Sequence, residues 1–221
     1  MAEGTQTPDA PAFSFTSAVT VCVDFKNPHS YFAKGPSYEL ESDFDLRIDW
    51  QPLLVAPMTR PTTRVVDETR GTRHRRMRAE YYERDLQRYA RVRGLTVKKL
   101  YRNPDSTTAG AGLLWVKRFP DDIVRGYIDR VFERYWGELL DIEDPSAIGR
   151  LLDEIGGEGD NFVEYAKSEG VIELQKRQAA LRAAGLFNVP GYVVRGEIFY
   201  GRQHLPMIRW LLADRGGTGP I

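Results

Sequence analysis

Apolar and polar positions divide the chain into a strand-rich opening, a long helical middle and a strand-rich close. Ala18 to Phe25 (AVTVCVDF) is a short, β-branched apolar run, the pattern of a strand buried on both faces. Asn27-Pro28 follows, an N-cap residue and then a proline pre-set for the first helical position, which predicts a helix over Pro28 to Lys34 ending near Gly35-Pro36. Phe44 to Trp50 (FDLRIDW) alternates apolar and polar, and Leu53 to Val55 extends it, predicting a second strand. From Thr72 to Arg93, Met77, Tyr81, Tyr82, Leu86, Tyr89 and Val92 recur near a 3.6-residue period, up to a stop at Gly94. Val97 to Leu100 is too short to assign, and Asn103 to Gly112 reads as a loop or helix entry. Helices are predicted over Asp121 to Trp136, Ser146 to Ile155, Asn161 to Ser168 and Val171 to Ala184. Gly191 to Arg195 and Ile198 to Tyr200, joined at Gly196-Glu197, read as a hairpin, and Gln203 to Leu212 as a last helix.

The order is strand-helix-strand, then helices, then strand-strand-helix. That order predicts an α/β, thioredoxin-like fold with a large all-helical insertion. The thioredoxin-like part is expected over 18–59 and 185–214 and the insertion over 60–184, packed as a lobe of its own. Residues 1–17 are expected to form a disordered tail and 215–221 a flexible one, because neither stretch can bury enough surface to offset ordering.

Composition narrows the function. The chain has 221 residues, enough for a sizeable core, and 31 Lys+Arg balance 31 Asp+Glu, which argues against an overall electrostatic grip on nucleic acid. The basic run Arg70 to Arg78 is followed by Glu80, Glu83 and Asp85 at helical pairing distance, so it reads as a solvated helix face. The tyrosine and phenylalanine stripes of the middle helices read as core. The one cysteine, Cys22, lies mid-strand, so no internal disulfide and no Cys-rich metal site are expected. With three histidines a His-rich metal site is not expected either. No apolar run has the ~20 residues that span a bilayer. Without a secretory leader, and with a single thiol, the chain is expected in the cytoplasm.

Three places carry candidate chemistry. Asn27-Pro28-His29-Ser30 stands at a strand-to-helix turn, where free N–H groups and the positive helix end favour an anion such as a thiolate. Asn188-Val189-Pro190-Gly191 opens a strand, where proline belongs at a strand start or edge. Gly201-Arg202-Gln203-His204 opens the last helix and is suited to holding a carboxylate. Taken alone, the first and third are also ordinary caps, and the second an ordinary trans-proline strand opening.

Together these segments resemble the 2-hydroxychromene-2-carboxylate isomerase family, relatives of kappa-class glutathione transferases and, more distantly, of DsbA-like oxidoreductases. The likeness runs from about Val19 to Leu212. It is carried by VDFKNPHSYFA (Val23 to Ala33), by Tyr82 to Arg93 with its Arg-Asp-Leu, by Tyr135-Trp136 through Asp-Ile-Glu-Asp-Pro (Asp141 to Pro145), and by GLFNVPGYVVRGEIFYG (Gly185 to Gly201). The resemblance implies glutathione as cofactor in the thioredoxin half and a small aromatic or hydrophobic substrate between that half and the insertion. Asn27 stands where the family has the serine that meets the glutathione sulfur, and His29 and Ser30 share that turn. Val189, before a cis Pro190, matches the residue that binds the cysteinyl backbone, and Gln203 the position that meets the γ-glutamyl group. Tyr101 and Asn103 fall near the family's substrate positions. Against DsbA-like oxidoreductases, Asn-Pro-His-Ser reads as Cys-Pro-His-Cys with both thiols lost, and exchange requires a thiolate. The implied activity is a glutathione-dependent isomerase or transferase. The alternative is an altered DsbA-like protein that binds a small ligand without thiol–disulfide exchange. A homodimer is left open, and no membrane partner is expected.

Overall fold

The structure is a computed structural model that describes residues 13–58, 60, 63–64 and 66–220. The expected tail at 1–12, the boundary residue 59 and Ile221 lie outside the described residues.

Strand β1 (Val19–Val23) is buried along its whole length, as its β-branched run predicts. It pairs in parallel with β2 (Ile48–Pro52), with Val21 opposite Trp50. On its other edge it pairs antiparallel with β3 (Gly191–Val194), with Val21 opposite Tyr192. β4 (Glu197–Tyr200) closes the hairpin with β3, so the sheet order is β2-β1-β3-β4.

Helix α1 (Pro28–Phe44) links β1 to β2 and is ten residues longer than the sequence predicts. It passes through Gly35 and Pro36. A proline inside a helix removes one N–H and crowds the preceding turn, but burial of Tyr31, Phe32 and Ala33 before it and Leu40 after it holds both halves against the core. Ser37 donates its hydroxyl to the Ala33 carbonyl at 2.8 Å across the same turn. The helix ends instead at Asp45, which is left-handed at φ 47°, with its N–H on the Glu41 carbonyl. The start predicted for β2 at Phe44 is therefore spent on the end of α1.

Six helices follow among the described residues: α2 (Arg70–Arg93), α3 (Thr107–Val116), α4 (Asp121–Trp136), α5 (Pro145–Asp153), α6 (Gly159–Lys167) and α7 (Glu169–Ala183). The described part of this section contains no strand. Helix α3 resolves the stretch read as a loop or helix entry: it is a helix from Thr107 on, and it is buried. It is apolar all round, so it carries no one-sided period to read. Gly112 is required there, because a Cβ would lie 2.0 Å from the Tyr127 hydroxyl oxygen. A short 3₁₀ turn (Arg202–His204) and α8 (Leu205–Leu212) end the fold.

The helical section does not stand apart as the expected lobe. Val19, Val21 and Trp50 of the sheet share one core with Tyr127, Phe132 and Trp136 of α4. Phe25, just past β1, sits 4.8 Å from Phe132, and Tyr31 of α1 stacks on Phe132 at 5.4 Å. On the opposite side, Cys22 and Leu53 pack with Leu181, Leu186, Phe13 and Phe15. Phe13, expected in the disordered tail, donates its N–H to the Ala180 carbonyl at 3.0 Å and so ties residues 13–17 to α7. At the other end, the Arg215 N–H reaches the Trp210 carbonyl at 2.9 Å.

Candidate functional site

The C-terminal end of β1 aims the chain into α1, and the turn is built by local hydrogen bonds. Asn27, extended at φ −93° and ψ 118°, caps the helix. Its Oδ1 accepts the N–H groups of His29 at 2.9 Å and Ser30 at 3.3 Å. The first-turn donors predicted to face an anion are thus occupied by the cap, and only the side-chain amide N–H of Asn27 is left to donate. Ser30 is fully buried, and its Oγ accepts the Asp24 N–H at 3.2 Å. Asp24 is buried too, with Oδ2 accepting the Val55 N–H at 2.9 Å, and burial raises its carboxyl above the usual range. Neither Asn27 nor Ser30 borders the principal cleft.

His29 does border it. The cleft has a volume of about 1190 Å³ and opens between α1, the Val189–Pro190 edge, the 3₁₀ turn and α2. Burial first, then the nearby Arg202 charge, lowers the His29 pKa, opposed by Asp85. The ring meets Tyr82 edge-on, with centroids 6.4 Å apart. Asn188, Val189 and Pro190 form the neighbouring wall, and the Val189–Pro190 bond is cis. The Val189 N–H is held by Asn188 Oδ1 at 2.9 Å. Gln203 lines the next wall, its amide nitrogen donating to the Tyr200 carbonyl at 2.8 Å, which turns its Oε1 into the remaining acceptor. Gly201, at φ +88°, allows that turn, since a Cβ there would lie 2.2 Å from Gln203 Oε1.

Four of the predicted site residues, His29, Val189, Pro190 and Gln203, therefore meet around one cavity. Tyr101 and Asn103 do not reach it. Tyr101 donates to Glu83 at 3.0 Å and carries the Arg60 guanidinium over its ring at 5.5 Å, so it touches the cleft only through Arg60. Asn103 is exposed on the loop before α3.

The far wall is one the sequence reading placed elsewhere. On α2 only Leu86 and Ala90 are buried. Tyr82 and Tyr89, read as core, remain 38% and 43% exposed and face the cleft. Arg202 spans the gap, 3.9 Å from the Tyr89 ring centre and 3.6 Å from Asp85. Arg76 is neutralised by Glu68 and Glu80, and Arg93 by Glu39. Arg60, Arg75 and Arg78 line the cleft without a carboxylate partner among the described residues. The signal was present: a basic run on a helix whose aromatics recur at Tyr82 and Tyr89, seven residues apart, on the face beside Asp85. Aromatic faces beside unpaired guanidiniums suit a ligand that is part apolar and part anionic.

Cys22, buried in β1 with its thiol pushed up to about 12 by burial, takes no part in the cleft. No helix among the described residues is long and apolar enough to cross a membrane.

Comparison with known proteins agrees with this architecture. The chain is 22% identical over 204 residues to the 2-hydroxychromene-2-carboxylate isomerase of Sphingobium xenophagum, covering 90% of this chain and all of the relative. A solved 2-hydroxychromene-2-carboxylate isomerase superposes with a TM-score of 0.69 at 19% identity, over 89% of this chain and 95% of that one. The cytosolic disulfide reductase DsbM of Pseudomonas aeruginosa, solved with GSH, superposes at 0.53 with 14% identity, over 89% of this chain and 96% of its own. The DSBA-like thioredoxin domain model matches residues 18–213. With nearly the whole fold inside that match, the chain belongs to the DSBA-like thioredoxin domain family.

Proposed function

We propose that this protein is a glutathione-dependent isomerase or transferase whose substrate is a small aromatic or hydrophobic anion. The observation that carries the reading is the convergence of His29, the Val189–Pro190 edge and Gln203 on one cleft faced by tyrosines and unpaired arginines of α2. The cleft fits the group on three counts. Its volume suits a tripeptide with a ring beside it. Gln203 Oε1 is an acceptor for an ammonium, and the guanidiniums match carboxylates.

When bound, glutathione supplies a sulfur nucleophile that adds to and leaves an activated double bond. The residues of this chain have separate roles. Val189 offers its backbone to the cysteinyl unit once Asn188 releases the N–H. Arg60, Arg75 and Arg78 draw the anionic end of the substrate, while Tyr82 and Tyr89 take its ring. Fixing the two partners side by side removes much of the entropic barrier. Thiol–disulfide exchange is foreign to this site, because Asn27 and Ser30 carry no sulfur and Cys22 is buried in the sheet. Similarity to an isomerase over nearly the full chain, and to a fold solved with GSH, supports this choice. The reading carries with it the reducing cytoplasm, where glutathione is a thiol.

The test is calorimetric titration with glutathione, followed by turnover of an electrophilic aromatic carboxylate. Binding together with glutathione-dependent turnover is expected. Binding without turnover of any electrophile favours a ligand-binding protein without catalysis.

A further inference from the structure

Asn27 stands in place of the serine hydroxyl that the resemblance sets at the glutathione sulfur and is committed to capping, and the Ser30 hydroxyl is bonded behind the helix, so the cleft lacks that hydroxyl. We infer that His29 replaces that hydroxyl as the activating group, and that an unprotonated nitrogen of its ring accepts the proton of the bound thiol. The inference rests on the glutathione reading above and assigns its proton acceptor.

Geometry singles His29 out. It lies on the first turn of α1 and borders the cleft that the Val189–Pro190 edge also lines. Among the described residues its ring makes no hydrogen bond; its backbone N–H is the group held by Asn27. The cleft carboxylates are engaged elsewhere, Glu39 with Arg93 at 2.8 Å and Asp85 with Arg88 at 2.7 Å. The charged and titratable groups facing the ring are Arg202 from the 3₁₀ turn and Asp85 and Tyr82 from α2. Burial and Arg202 keep the empty ring neutral, so its lone pair is present at neutral pH. Asp85 opposes them and supports the ring once it is charged.

The step balances without any further reactant. The S–H bond breaks, its electron pair stays on sulfur, the proton bonds to the ring nitrogen, and imidazole becomes imidazolium. The proton stays on His29 while sulfur is bonded to the substrate and returns when sulfur leaves.

The experiment follows the ultraviolet thiolate absorbance of bound glutathione against pH in the wild type, His29→Gln and the surface control His74→Gln. Calorimetry run first fixes the bound fraction. A charge-assisted hydrogen bond is worth enough to place the wild-type midpoint roughly one to two pH units below that of His29→Gln. His74→Gln is expected to follow the wild type. A second readout needs no variant: the His29 ring titration, followed by NMR, rises on binding glutathione but not S-methylglutathione, which has no proton to give. Equal thiolate curves in wild type and His29→Gln, or equal ring shifts with both ligands, overturn the assignment and leave glutathione binding intact. Absence of glutathione binding to the wild type overturns the underlying reading and the assignment with it.

Discussion

Replacing Asn27 separates a structural cap from a ligand contact. In the structure its Oδ1 serves two donors, the N–H groups of His29 at 2.9 Å and Ser30 at 3.3 Å. The Ser30 N–H also reaches the Asn27 backbone carbonyl at 3.1 Å, which survives any substitution. Asn27→Ala therefore strips its partner mainly from the His29 N–H. Loss of an N-cap costs ~0.5–2 kcal/mol, and the surviving backbone bond places this case near ~1 kcal/mol. For a chain of this size that lowers Tm by about 2–4 °C. Asn27→Asp keeps the acceptor and gains ~0.3–1 kcal/mol from the positive helix end, so it matches or exceeds the wild-type Tm. Because Asn27 caps the helix and does not border the cleft, glutathione affinity stays near that of the wild type in both variants. Calorimetric melting and glutathione titration on the three proteins read both effects. An unchanged Tm in Asn27→Ala, or Asn27→Asp as unstable as Asn27→Ala, refutes the capping role. Loss of glutathione binding in Asn27→Ala at full stability makes Asn27 a direct contact instead.

Further expectations follow from the same geometry. Asn188→Ala releases the Val189 N–H from its 2.9 Å bond and tightens glutathione binding by ~0.5–1.5 kcal/mol, roughly twofold to tenfold by calorimetry; weaker binding contradicts the backbone role of Val189. In the unfolded chain His29 takes its proton near ~6.5, and in the folded chain at a lower pH, so the unfolded state binds more protons between these values and acid lowers stability across that window. Arg202→Ala removes one cause of the lowered pKa, so the slope of stability on pH flattens there in denaturant titrations; a steeper slope counts against the coupling. Gly112→Ala forces a Cβ to 2.0 Å from the buried Tyr127 hydroxyl and is expected to cost at least ~1–3 kcal/mol by thermal melting. A neutral Gly112→Ala would mean that α3 and α4 are not packed as described.

Much of the fold is legible because it is written locally. The β-branched run of β1, Asn27-Pro28 at the start of α1, Asp144-Pro145 at the start of α5 and the Gly191–Tyr200 hairpin each state their structure within a few residues. Local rules fail where packing decides. Gly35-Pro36 is a stop signal overruled by the burial of Tyr31, Phe32 and Leu40 on either side of it. Helix α3 hides because a helix buried all round has no polar face to set its period. The site divides in the same way. His29, Val189, Pro190 and Gln203 lie near element boundaries that sequence marks, and the sheet topology brings those ends together. Tyr82, Tyr89 and Arg202 become site residues only when α2 stands across the cleft from the 3₁₀ turn, and no spacing along the chain states that docking. Ser30 shows the reverse case: the turn is read correctly, but its hydroxyl points back to the Asp24 N–H.

The central claim is that glutathione occupies the cleft between α1, the Val189–Pro190 edge and α2. A crystal structure of the protein grown with glutathione tests it most directly. The expected complex has the sulfur beside the His29 ring, the cysteinyl backbone paired with Val189, and the γ-glutamyl ammonium at Gln203 Oε1. A glutathione molecule seated elsewhere, or a cleft that stays free of it at saturating glutathione, contradicts the claim.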